Sequence, residues 1–288
     1  YTNKDSIYIA DATFFRGQVR SYLGNFVKAV NDYETAIIYY ENLNDSDYVL
    51  STKNSLALLY GQNGFNNEAE KIHDEILEKA IQDNNNTLAD ASNYNKALLA
   101  RKRKNTLKEE QYLFKSRKHV LLSKEDERKV IINSTLAQFY AKQNNLPKAN
   151  KYLKEAKQFI RIIENNKRIG AYYYAAKIEI EKALGNYELA LSILEQQHKM
   201  SKEWNNITQQ ITNQKLFYEL YKLKNNDTKA LQYLDRYKTL YDSVYNTQKT
   251  NTLLYYQNRY ESERKERNIK EQEASIKLLE KDNVIKRN

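Results

Sequence analysis

Asparagine punctuates this chain at a fixed interval, and that spacing limits the fold more than any other feature. Together with glycine it clusters at Gly24-Asn25, Asn42 to Asn44, Asn63-Gly64, Asn84 to Asn86, Asn105, Asn144-Asn145, Asn165-Asn166, Gly185-Asn186, Asn205-Asn206, Asn225-Asn226 and Asn246. Neighbouring marks lie some twenty residues apart, and Ser123 to Asp126 fills the one gap. Asparagine and glycine accept the left-handed conformation that ends helices, while Asn, Asp and Ser cap the helix that follows. Between marks, apolar residues recur at three- and four-residue spacing, as in Leu146, Ala149, Leu153, Ala156 and Ile160. That period gives each helix one buried and one wet face. The pattern predicts about twelve short helices joined by tight polar turns.

The helices pair. Ala29, Ala69, Ala149, Ala190 and Ala230 keep a repeat of 40 or 41 residues if one unit is skipped. One turn later come Tyr33, His73, Leu153, Leu194 and Leu234, with Leu113 in the skipped unit, where Glu109 replaces the alanine. Gly17, Ala57, Ala97 and Ala137 precede the turns by seven residues. Helices approach closely only where one presents a small side chain, and a large apolar neighbour fills the adjacent gap.

The runs Gly17…Gly24-x-Phe26-x-x-Ala29…Tyr33…Ala36, Leu56-Ala57-x-x-Tyr60…Gly64…Ala69 and Leu136-Ala137-x-x-Tyr140…Asn144…Ala149…Leu153…Ala156 resemble tetratricopeptide repeats (TPRs), as does Gly185-Asn186-Tyr187-x-x-Ala190. The period exceeds the usual 34 residues of that family. The resemblance implies an all-α, TPR-like α-solenoid: a right-handed superhelix of about six helix pairs over residues 1–247. It also implies a concave groove lined by the first helix of each pair, where a peptide or protein ligand lies. Carried across in register, the groove positions are Phe14, Gln18, Asn54, Tyr94, Arg101, Gln138, Glu179, Lys182, Glu219 and Lys222.

After Asn246 the punctuation stops, and residues 248–288 read as one long connector helix. Leu253, Tyr256 and Tyr260 are expected to pack on the last repeat, residues 261–268 have no apolar face, and Ile269, Ile276, Leu279 and Asn283 form a short coiled-coil seam suited to a homodimer. The run from Arg259-Tyr260-Glu261 to Leu278-Leu279-Glu280 resembles the linker of bacterial membrane signalling proteins, in which TPRs precede a membrane span and a histidine kinase or helix-turn-helix output. The resemblance implies a span just after Asn288 and an extracytoplasmic (periplasmic) location, with the cytoplasm as alternative. The first residue, Tyr1, reads as the start of an excerpt.

Chemistry is sparse. With no cysteine there is no thiolate nucleophile or thiolate metal site. The six glycines form no phosphate-binding loop, and the three histidines are far apart, so no metal, cofactor or catalytic residue is expected. His73-Asp74-Glu75 superficially resembles a phosphoacceptor pair, but His73 occupies a core position of the repeat. The net charge of +10 concentrates in Lys96, Arg101, Lys102, Arg103, Lys104, Lys108, Lys115, Arg117 and Lys118, against Glu109 and Glu110. Aromatics are not interleaved with these cations, which argues against nucleic acid as the partner. The reading is therefore a non-catalytic sensory TPR domain, of a sensor histidine kinase first. The alternative is the TPR domain of a transcriptional regulator, or a cytoplasmic peptide-pheromone receptor or adaptor.

Overall fold

The computed structural model describes residues 3–287, with side chains described for residues 5–270, 272–274, 276 and 277. Among the described residues the fold is all-α. The helices are α1 (Asn3–Tyr22), α2 (Phe26–Asn42), α3 (Ser46–Gln62), α4 (Asn66–Gln82), α5 (Asn86–Lys102), α6 (Thr106–Leu122), α7 (Asp126–Lys142), α8 (Leu146–Lys157), α9 (Ile160–Asn165), α10 (Lys167–Ala183), α11 (Tyr187–Glu203), α12 (Ile207–Leu223) and α13 (Asp227–Arg287).

The punctuation acts through backbone chemistry. Gly24, Asn44, Gly64, Asn84, Asn144, Gly185, Asn205 and Asn225 all have positive φ, and so does Lys104. At most of these ends the next amide folds back five residues: Asp45 N donates to Tyr40 O at 3.0 Å, Asn85 N to Ala80 O at 2.8 Å, and Asn145 N to Tyr140 O at 2.9 Å. This is the Schellman closure, which satisfies carbonyls the helix leaves open. At several ends the residue after the left-handed one then caps the next helix through its side chain, though Asn25, Phe65 and Asn186 do not. Asn85 Oδ1 accepts from Leu88 N at 3.0 Å, Asn105 Oδ1 from Lys108 N at 3.0 Å, and Asn206 Oδ1 from Gln209 N at 3.0 Å.

The chain forms two compact units. One comprises Tyr1–Gly64 with Asn246–Asn288, and the other Phe65–Tyr245. In the first, α2 packs between α1 and α3. Gly17 is a true close approach there, since a Cβ would meet the Tyr33 ring at 3.1 Å. Buried Asp32 is held by Arg16 at 2.6 Å and Arg20 at 2.7 Å. In the second unit, successive helices from α4 to α12 stack on their neighbours. The alanine notches point inward throughout: Ala29, Ala57, Ala69, Ala97, Ala137, Ala149, Ala190 and Ala230 are all buried. Glu109 fits its notch by pairing with Arg101 Nε at 2.6 Å.

Three local expectations change. Ile160 does not continue the helix of Leu146, because the backbone turns at Gln158-Phe159 and restarts as the short α9. The same place absorbs the residue that lengthens the repeat from 40 to 41. Nor does a helix end at Asn246, since α13 passes through it unbroken. A lone asparagine without a left-handed neighbour and a following cap is not a stop signal. Leu253, Tyr256 and Tyr260 are also exposed rather than packed on the last repeat, and Tyr255 is the buried member of that stretch.

The first helix of the series differs from its successors on one face. Val19 is 57% exposed, whereas its equivalents Leu59, Leu99 and Phe139 are 4–5% exposed. α2, α4 and α6 cover α3, α5 and α7 respectively. Val19→Ala should therefore leave stability within about 0.5 kcal/mol, as at other surface positions. A urea midpoint that moves further would show that this face is covered.

Candidate functional site

Four helices of the second unit converge on a cavity of about 470 Å³. Gln138 and Lys142 come from α7, Glu179 and Lys182 from α10, Ile211, Thr212, Lys215, Leu216 and Glu219 from α12, and Tyr237 and Tyr241 from α13. Repeat register explains the convergence, since Gln138, Glu179 and Glu219 occupy one position of three successive first helices. Small residues along the stack, such as Ala137 and Ala176, bring those helices close enough to share a wall.

The wall is a ladder of alternating charge. Lys182 Nζ lies 2.7 Å from both Glu179 Oε2 and Glu219 Oε2. Lys142 Nζ approaches Glu179 Oε1 at 3.6 Å, and Lys215 Nζ approaches Glu219 Oε1 at 4.0 Å. The Glu179 side chain is only 3% exposed. Burial pulls the Lys182 ammonium down, but Glu179 and Glu219 outweigh it and hold its pKa above the ordinary lysine value. At Lys142 burial prevails, reinforced by Arg101 and Lys182 and opposed by Glu179, so its pKa is lowered. Three cations share two carboxylates here, and Lys142 is the least well compensated. The tyrosines Tyr237 and Tyr241 face this ladder, with ring centroids 5.6 Å apart.

Of the ten groove positions read from the sequence, Gln138, Glu179, Lys182 and Glu219 meet in this cavity. Tyr94 is buried, with Arg128 over its ring at 5.1 Å. Arg101 is engaged by Glu109, and Lys222 lies on the surface paired with Asp227 at 3.0 Å. Phe14, Gln18 and Asn54 belong to the other unit, where Phe14 packs against Tyr33. Lys142, Lys215, Tyr237 and Tyr241 were not anticipated. The tyrosines come from a second helix, which the register of groove positions on first helices does not reach.

The basic run is partly paired and partly exposed, with Lys102, Lys104, Lys108, Lys115 and Lys118 on the surface. Lys96 is buried and paired with Asp74, Arg103 is paired with Glu70, and Arg117 with Glu155 at 2.7 Å. Lys115 sits over the Tyr112 ring at 5.5 Å. Lys102, Lys104, Lys108 and Lys118 complete the run on α5, α6 and the turn between them. In the proposed dimer seam Ile269 and Ile276 are exposed, while the side chains of Leu279 and Asn283 lie outside the described residues. The histidines stay apart: His73 is buried, His119 Nδ1 lies 2.9 Å from Asn86 Oδ1, and His198 packs against Phe217. Among the described residues no group of three or more His, Asp or Glu side chains could hold a metal ion.

No protein-family model and no curated protein matches this sequence. Solved structures do match its fold. One is a Rap protein complexed with Competence and Sporulation Factor, with 12% identity, a TM-score of 0.58, and 82% of this chain and 75% of that one covered. Another is a Rap regulator of plasmid conjugation genes in complex with a Phr peptide, with 12% identity, a TM-score of 0.58, and coverage of 88% and 76%. A third is a signal-transduction ATPase with a tetratricopeptide repeat sensor from Pyrococcus horikoshii, with 17% identity, a TM-score of 0.52, and coverage of 81% and 36%. The fold is thus an all-α, TPR-like solenoid. The extracytoplasmic (periplasmic) placement expected from the linker resemblance is corrected by these findings. No helix among the described residues is long and apolar enough to cross a membrane, and the matching structures are regulators and a signalling ATPase rather than membrane-bound kinases.

Proposed function

We propose that this chain is a non-catalytic regulatory domain that binds an extended peptide in the cavity of its second unit, in the manner of a peptide-pheromone receptor or adaptor. The observation that carries this reading is the ladder of Lys142, Glu179, Lys182, Glu219 and Lys215 facing Tyr237 and Tyr241. Such a wall offers donors and acceptors at repeat spacing to a backbone that has unpaired N–H and C=O groups, and the rings give its side chains apolar cover. One fold neighbour was solved with a Phr peptide bound and another with Competence and Sporulation Factor, which supports the same reading. Lys182, at the centre of the ladder, is engaged by two carboxylates, which suits a binding wall.

Short peptides selected from a random display library on the whole chain provide the test. Their binding should weaken at least tenfold, which is about 1.4 kcal/mol, with Tyr241→Ala. It should also lose salt dependence with Lys215→Ala. Both side chains are well exposed, so neither substitution threatens the fold. Selected peptides whose affinity ignores both changes would place the binding site elsewhere and sink the proposal.

A further inference from the structure

Beyond Asn246, α13 belongs to the first unit, and Tyr255 is its one buried side chain among the described residues from 246 to 277. Tyr255 stands edge-on to Phe26, with centroids 5.7 Å apart, and to Tyr60 at 5.9 Å. Its hydroxyl lies 3.1 Å from that of Tyr60 and accepts from Arg259 Nη1 at 3.1 Å. Two turns earlier the same helix closes the end of α3. Gln248 Nε2 donates to Gln62 O at 2.6 Å, and Asn251 Nδ2 donates to Asn63 Oδ1 at 2.9 Å. Carbonyls at a helix C-terminus need such partners, and Gln62 O finds one in a segment far along the chain, beside the side-chain bond from Asn251 to Asn63.

The aromatic cup uses repeat positions whose residues vary along the chain: Phe26 opens α2 where Asn66, Thr106, Leu146 and Tyr187 open α4, α6, α8 and α11, and Tyr60 corresponds to Ala100 and Tyr140. The rest of the contact is loose. A cavity of about 400 Å³, edged by Asn31, Glu34, Asn258, Arg259 and Ser262, lies between α2 and the strap. One buried ring and a few polar bonds, most of them part-buried, hold this segment, whereas full burial along a face holds the helices of the stack. A segment so held opens at lower cost than the unit it rests on.

We infer that Phe26, Tyr60 and the C-terminal end of α3 form a helix-recognition site, distinct from the peptide cavity, which this chain fills with its own residues 248–259. The ligand class is an α-helix that presents a tyrosine, an arginine one turn after it, and side-chain amides one to two turns before it. The tyrosine enters the cup, the arginine binds the paired phenols, and the amides cap α3. The resident strap must leave before another such helix can enter, so the site is self-blocked at rest.

A synthetic peptide of residues 246–266 and the whole chain carrying Tyr255→Ala test this. The peptide should bind the variant at least tenfold more tightly than it binds wild type, because only the variant's cup is vacated. A peptide itself carrying Tyr255→Ala should not bind. Hydrogen exchange in the variant should quicken across 248–262 while α1 to α3 keep their protection. If Tyr255→Ala proves poorly folded, the double variant Gln248→Ala, Arg259→Ala loosens the strap without touching the cup. No binding to the opened chain, or equal binding to opened and wild-type chains, overturns the assignment.

Discussion

Acidification from pH 6.5 to 4 should cost this chain about 3 kcal/mol through His73 alone. His73 is buried, its pKa is lowered to about 4, and its Nδ1 has no hydrogen-bond partner. Burial is the main cause, the charge of Lys96 adds to it, and Asp74 opposes it. The sign follows from proton counting. Between the folded value of about 4 and the ordinary value of 6.5, the unfolded chain holds the proton and the folded chain does not. Stability therefore falls as pH falls through that window, and this group contributes no further loss below it. The repeat supplies the control, because Tyr33, Leu113, Leu153 and Leu194 occupy the equivalent position. His73→Leu replaces an unpaired nitrogen with the residue the fold uses elsewhere. Urea unfolding of wild type and variant at several pH values should show curves that diverge toward pH 4. Parallel curves would show that His73 does not titrate in this window.

What could be read from the sequence is what local chemistry decides. A left-handed asparagine or glycine followed by a capping side chain needs no distant partner, so the helix ends could be read directly. The alanine notches could too, since their spacing is the spacing of contacts between neighbouring helices. Lys104 shows the limit: it takes a φ of 56° that its side chain does not favour, and only its place in the count signals this. The cavity was half legible, because register aligns Gln138, Glu179 and Glu219 but says nothing of which second helix faces them. Tyr255 was not legible. Helical periodicity cannot choose among Leu253, Tyr255, Tyr256 and Tyr260 when the surface that receives them lies some 200 residues away, at Phe26 and Tyr60. The basic run was legible only as charge, since its acidic partners Asp74, Glu70 and Glu155 lie on other helices.

Asp90→Ala should be among the most damaging single changes, at about 3–5 kcal/mol. Asp90 is buried in α5, where Oδ2 accepts from Arg128 Nε at 2.6 Å and Oδ1 from Ser116 Oγ at 2.6 Å. Removing the carboxylate strands a largely buried guanidinium and a buried hydroxyl, and low-dielectric surroundings make an uncompensated charge costly. The cost measures the stranding, not the worth of the network, and the repeat makes the distinction testable. Position 90 corresponds to Ala10, Leu50 and Val130, position 116 to Ala36, Ile76 and Ala156, and position 128 to Tyr8, Tyr48 and Leu88. The first, second and fourth units are thus apolar at the two buried places, whereas the fifth carries buried Gln197 at the equivalent of position 116. The triple variant Asp90→Leu, Ser116→Ala, Arg128→Leu converts this unit to its neighbours' pattern. It should recover most of the loss and lie within about 1–2 kcal/mol of wild type, because apolar replacement of a buried ion pair is often nearly neutral. Thermal and urea unfolding of the single and triple variants decide the matter. A triple variant as unstable as Asp90→Ala would mean that this polar cluster, unlike the alanine notches, is not interchangeable with the packing of the other repeats.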